Sequence, residues 1–152
     1  MTDPVSVSLA AATDRSMKVV REALSGYTLA LGIAVAGALG ALSRWGLGQW
    51  LEQFGGGHFP YGTLAANLVG CFLLGVVMQI GAHSRWMSGE LRTVIAVGFI
   101  GALTTFSTWE FETFHMARGG QVLLAAGNFA VNVFFGFVLI WAGGRLAAGL
   151  LH

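Results

Sequence analysis

Thr104-Thr105-Phe106-Ser107-Thr108-Trp109 interrupts a stretch that otherwise has the character of a membrane-crossing helix. Four hydroxyl side chains, a Phe and a Trp follow Gly98 and Gly101, and the whole segment lies between Arg92 and Glu110. Hydroxylated side chains compete for backbone hydrogen bonds and Thr is β-branched, so with two nearby glycines the helix is weakened here. In hydrocarbon, freed backbone groups are tolerated only where protein or a water-filled cavity covers them. Polar groups at membrane depth are functional suspects by default. The segment therefore predicts a third span that is broken and carries the chemistry.

The surrounding composition agrees. Of 152 residues, 55% are hydrophobic and 10% charged, against about 25% charged in a soluble domain. No Asp, Glu, Lys or Arg lies in 23–43, between Gln53 and Arg85, in 93–109 or in 119–144. A helix needs about 20 mostly apolar residues to cross a bilayer. These runs predict four spans, 27–51, 61–82, 91–115 and 121–147, in an all-α membrane protein. Residues 27–151 form one four-helix transmembrane domain. Residues 1–26 are polar, and their 10–12 run is too short for the core of a cleavable signal. They are expected to be a mobile tail outside the fold, with a short interfacial helix over 16–24.

The loops 55–60, 83–90 and 118–121 are short, which suits antiparallel neighbours in a compact bundle. Across the four spans Arg85, Arg92 and Arg145 fall on one side and Arg44 and Arg118 on the other. So even a balance permits insertion in both orientations, and hence an antiparallel dimer. The tail's Arg15, Lys18 and Arg21 raise the count to six against two, which leaves its effect on orientation open.

Inside the spans the polar groups fall in stripes. Thr63 and Asn67 are spaced i, i+4 on the second span, and Asn128, Asn132 and Gly136 repeat that spacing on the fourth. Each Asn must find partners in hydrocarbon. The stripes are either interhelical glue or a ligand pathway. No charged residue sits near the centre of a span, which disfavours a proton-coupled transporter. The groups suit a small uncharged conduit: Asn and hydroxyl donors or aromatic edges for an anion, or backbone carbonyls for a small hard cation.

Several classes are disfavoured. A net charge of +1 argues against nucleic acid as a partner. Cys71, the one cysteine, excludes an intramolecular disulfide and reads as a small buried hydrophobe. His58, His83, His115 and His152 lie at span ends or termini, and no nucleophile-base pair, metal motif or phosphate loop appears, so the chain is not expected to be an enzyme. A small dual-topology exporter of organic cations is the alternative, but it needs a carboxylate in the first span. A non-conducting scaffold held by Asn glue is a third class.

Three blocks, in order, carry a resemblance: Gly37-Ala38-Leu39-Gly40-Ala41-Leu42-Ser43-Arg44-Trp45, Gly62-Thr63-Leu64-Ala65-Ala66-Asn67, and Gly98-Phe99-Ile100-Gly101-Ala102-Leu103-Thr104-Thr105-Phe106-Ser107-Thr108. Over about 27–147 the chain resembles the Fluc/CrcB family of bacterial fluoride channels. The resemblance implies an antiparallel dual-topology homodimer in the bacterial inner membrane, its broken third helices holding a central Na⁺ through backbone carbonyls. It also implies two narrow pores that let fluoride out passively, protecting the cell from fluoride toxicity. The matching carbonyls belong to Gly101 and Thr104. The matching pore-lining Asn is Asn67, with Thr63, Ser107 and Thr108 as a polar track, and Asn132 is placed on the same pathway. Phe106 matches the first ring of a phenylalanine pair, while Arg44 and Glu112 match vestibule residues. The second ring of the pair is Trp109 here, which keeps an aromatic edge, adds an indole donor and is larger.

Overall fold

The computed structural model describes residues 4–55, 59–84 and 87–151. Residues 1–3, 56–58 in the 55–60 loop (His58 among them), 85–86 (Arg85 among them) and His152 lie outside the described residues. Every element among those described is helical. Helix α1 spans Pro4–Gly55 and α2 Tyr61–His83. The third span is built from α3 (Gly89–Thr93), a π-helical segment (Val94–Ile100), α4 (Gly101–Leu103) and α5 (Phe106–Arg118). Helix α6 spans Val122–Leu150.

Four stretches are long and apolar enough to cross a bilayer: Leu24–Gln53, Tyr61–His83, Gly89–Arg118 and Val122–Leu150. They match the predicted spans in number and order, and each helix runs a few residues past its apolar run, where end positions are soft. The N-terminal part differs more. The polar residues from Pro4 onward continue the first span as one helix of 52 residues, longer than the short 16–24 helix expected from the sequence. Ser25 at the base of this extension donates to Glu90 Oε1 at 2.6 Å, linking α1 to the start of the third span.

Small residues bring these helices together. Lipid tails are as apolar as the helices, so membrane helices associate through close packing and interhelical hydrogen bonds. Helix α2 packs most extensively on α6. A Cβ on Gly75 would run into the Ile140 carbonyl oxygen, and one on Gly143 into that of Phe72. The first span meets the π-helical segment in the same way, with Gly40 against the Phe99 carbonyl and Gly98 against Ile33 and Ala36. The fully apolar core is small and centres on Val77, Met87 and Ile100. Large side chains such as Leu31, Val97, Phe137 and Trp141 point outward, as a bilayer environment allows.

The third span is the irregular one. Ser88 caps its start, accepting from Leu91 N at 3.1 Å. The π-helical turns over Val94–Ile100 have no signature in that ordinary apolar run, but such turns cluster at functional sites. Thr104 and Thr105 then leave the helical region, with φ, ψ of −80°, 154° and −148°, 117°. Helix α5 restarts at Phe106, and Gly120, at φ 81°, turns the chain into α6.

Candidate functional site

The two non-helical residues of the third span are held by side chains. Thr105 is the N-cap of α5, its Oγ1 accepting from Thr108 N at 3.3 Å while its hydroxyl donates to Thr108 Oγ1 at 2.9 Å. Thr105 N–H donates to Asn67 Oδ1 at 2.8 Å, and Asn67 Nδ2 returns a bond to the Thr105 carbonyl at 3.2 Å. The carboxamide of Asn67 thus takes the place of a helical turn.

This diversion has a consequence for two carbonyls. In an unbroken α-helix Thr105 N–H would bond to the Gly101 carbonyl, and Thr108 N–H to that of Thr104. Both N–H groups are instead spent on side-chain oxygens, Asn67 Oδ1 and Thr105 Oγ1. Thr104 keeps its own bonds back to Ile100, from its N–H at 2.9 Å and its hydroxyl at 3.0 Å. Gly70 leaves room for its methyl, since a Cβ there would meet Thr104 Cγ2.

Two cavities flank this junction. One, of about 640 Å³, is lined by Arg44, Thr63, Thr108 and Glu112 among others. Thr63 donates to Glu112 Oε1 at 2.8 Å. Arg44 Nε and Glu112 Oε2 are buried with no hydrogen-bond partner among the described residues, and Glu52 also lines this cavity. The other cavity, of about 660 Å³, is lined by Asn67, Thr104, Phe106, Trp109 and Asn132 among others. Thr108 lines the first cavity and Thr105 the second, so their hydroxyl–hydroxyl bond joins the two linings, with Asn67 on the second.

The predicted residues therefore gather in two groups, with exceptions. Ser107 is exposed on α5 and lines neither cavity, and Gly101 is exposed on the protomer surface. Phe106 and Trp109 form a tilted ring pair with centroids 5.4 Å apart, but Phe106 is exposed and Trp109 buried. Trp109 stacks on Phe129 at 5.4 Å, and its Nε1 makes a long 3.4 Å bond to the Asn128 carbonyl. Its extra donor, compared with Phe, is turned into α6.

Three residues that hold this junction are not singled out by the sequence. Thr105 stands there only as part of the hydroxyl run. Asn128 stands only as part of a stripe, yet it is fully buried, and its Nδ2 donates to Thr113 Oγ1 at 2.8 Å. Thr113 in turn donates to the Trp109 carbonyl at 2.7 Å. The available signal was spacing: Thr113 lies i+4 from Trp109, as Asn132 does from Asn128.

Comparison with known proteins identifies the family of the chain. Residues 31–144 match the family described as CrcB-like protein, Camphor Resistance (CrcB). A protein of Geotalea uraniireducens named fluoride-specific ion channel FluC is 43% identical over 118 residues, covering 78% of this chain and 95% of the relative. A protein of the same name from Geobacter sp. strain M21 is 45% identical with the same coverage. One from Acidobacterium capsulatum is 42% identical over 113 residues, covering 74% of this chain and 90% of the relative. With this match over most of its length and four helices able to cross a bilayer, the chain is a multi-pass membrane protein belonging to the CrcB family.

Proposed function

We propose that this protein is a fluoride-selective channel that lets fluoride leave the cell passively. The observation that carries the reading is Asn67, a carboxamide that lines the second, mostly apolar cavity and is bonded to the irregular backbone of the third span. Fluoride is small and strongly hydrated, so a selective path must replace its water with closely spaced donors. Arg44 draws the anion into the first cavity, where the Thr108 hydroxyl faces it. Thr63 is committed to Glu112 Oε1 and is not itself free to meet the ion.

Passage beyond this point requires an exchange of partners. Both N–H groups of Asn67 are spent, on the Thr105 carbonyl at 3.2 Å and on Asn132 Oδ1 at 3.1 Å. The longer bond is the one an arriving fluoride displaces. A hydrogen bond to an anion is about twice as strong as one to a neutral carbonyl, which offsets part of the cost of shedding the ion's water. Past Asn67 the ion meets the second cavity, where the rings of Phe106 and Trp109 can offer positive edges. The indole N–H of Trp109 is committed to Asn128, so Trp109 acts as an edge, as a Phe would.

We read Thr104 and Thr105 as the family's break in the third helix. The carbonyls of Gly101 and Thr104 are among those that lose their helical N–H partners at this break, and such carbonyls suit a small hard cation such as Na⁺. Gly101 lies at the surface, so a second copy of the chain could share the ion across an antiparallel dimer interface. When bound, the ion supplies positive charge without a basic side chain. The organic-cation exporter gains no support: the first span has no carboxylate in 23–43, and the relatives named above are fluoride channels.

Liposomes loaded with potassium fluoride and bearing the purified protein test the proposal, with valinomycin added to release the potential. Fluoride should appear outside and chloride should be retained. Asn67→Asp, which removes the donors and adds a repelling charge, should abolish efflux. Fluoride uptake driven against its gradient by protons would refute the channel.

A further inference from the structure

The second cavity gives fluoride few side-chain donors to meet. Of the groups that line it, Asn67 has both N–H groups spent, on the Thr105 carbonyl and on Asn132 Oδ1. Asn132 Nδ2 donates to the backbone carbonyl and to Oδ1 of Asn128, both at 3.0 Å. The Thr104 hydroxyl is given to the Ile100 carbonyl, the Thr105 hydroxyl to Thr108, and the Trp109 indole to the Asn128 carbonyl. The Cys71 thiol remains, a weak donor. Displacing the Thr105 carbonyl frees one Asn67 N–H, and the first-turn N–H of Phe106 lies outside the helical ladder. A strongly hydrated ion calls for more.

Glu110 lines the same cavity. It lies i+4 from Phe106 on α5, so the two share one face of the helix. It is exposed and makes no hydrogen bond or ion pair among the described residues. As a carboxylate it offers only acceptors, and its charge repels fluoride; with a proton it is a neutral O–H donor. Fluoride is a weaker base than a carboxylate, so the proton stays on the carboxyl oxygen while the O–H donates to the ion. Hydrogen bonds with one ionised partner are the strong ones. Of the other described residues around the cavity, Cys71 on α2 is the one titratable group. Those contributed by α6, by the π-helical segment and by Thr104 and Thr105 carry no ionisable side chain. Glu112, two residues further on, lines the first cavity with Arg44, Glu52 and His115.

We propose that Glu110, in its protonated form, is the side-chain donor that receives fluoride in the second cavity, so that acidification raises the fluoride conductance. The inference deepens the channel reading and rests on it. The bath supplies the proton and Glu110 keeps it as the ion passes. Conductance therefore changes with pH while the reversal potential stays that of fluoride.

Fluoride current through the full-length protein in a planar bilayer tests this, since neutral hydrogen fluoride carries none. Symmetric solutions at constant free fluoride are taken from mildly alkaline down into the range where carboxylates protonate. Wild-type current should rise about tenfold. Glu110→Gln keeps a neutral donor at every pH, and should conduct as the acid form does with little response to pH. Glu110→Met is of similar size and removes charge and donor together, and should run about tenfold below Glu110→Gln. Glu110→Met within about twofold of Glu110→Gln would overturn the inference, because relief of repulsion alone treats the two neutral side chains alike. A wild-type response to pH that persists unchanged in Glu110→Gln would also overturn it, by assigning the titration to another group. Wild-type current that ignores pH would overturn the inference and leave the channel reading intact. No fluoride current from wild type or Glu110→Gln at any pH would overturn both.

Discussion

Gly75→Ala places one methyl between α2 and α6, and its consequences can be worked from the contact it invades. The new Cβ would overlap the Ile140 carbonyl oxygen and sit 3.1 Å from Gly144 N. Both neighbours are backbone, which cannot rotate away as a side chain could. The helices must separate by on the order of 1 Å to restore van der Waals distance. Overpacking of this kind costs about 1–3 kcal/mol. The Asn67–Asn132 bond, now 3.1 Å, joins the same two helices and would stretch toward about 3.6 Å, where it ceases to be a hydrogen bond. Its loss adds about 0.6 kcal/mol, giving a total near 2–4 kcal/mol. The assay is unfolding in mixed dodecyl maltoside and SDS micelles followed by tryptophan fluorescence, alongside fluoride efflux. Gly46→Ala is the control, because nothing lies within 4 Å of a Cβ there, and higher helix propensity should leave it neutral or slightly stabilised. A Gly75→Ala protein as stable and as active as Gly46→Ala would refute the claim that glycine contact between α2 and α6 holds the Asn pair together.

Further outcomes follow from the junction itself. Thr105→Val removes the N-cap of α5 and the hydroxyl partner of Thr108, and should cost about 1 kcal/mol in the same unfolding assay. Thr105→Ser should behave as wild type. Replacing Na⁺ with N-methylglucamine in all buffers should lower thermal stability in a concentration-dependent way, as expected when an ion that binds only the folded state is withdrawn. Unchanged melting across that exchange would argue against a Na⁺ site at Gly101 and Thr104.

The number and order of spans are legible in the sequence because long apolar runs without charge match the thickness of a bilayer and little else. The Thr104–Trp109 hydroxyl cluster marks where the third span turns irregular, and Asn67 stands out by its place on an apolar helix. Partner identity is less visible. Spacing puts Asn128 and Asn132 on one face of α6, but a bond from Asn132 to Asn67 depends on how closely α2 and α6 approach, which glycines 75 and 143 decide. The π-helical turns over Val94–Ile100 leave no trace in that ordinary apolar run, where the close approach to α1 at Gly40 and Gly98 is likewise a matter of tertiary packing. Ser107 stands apart from the residues that line the cavities of the single chain. It belongs to the matched block, yet a helical rotation of 100° per residue points it away from the face that Thr108 shares with Thr105.

The central claim is that fluoride crosses this protein passively and selectively. Its most direct test is the reversal potential of the current across a planar bilayer containing the purified protein, with unequal fluoride and equal chloride on the two sides. The account predicts reversal at the fluoride equilibrium potential, unmoved when a pH gradient is imposed or chloride is replaced by an impermeant anion. Reversal that follows the pH gradient, or that tracks chloride, would contradict it.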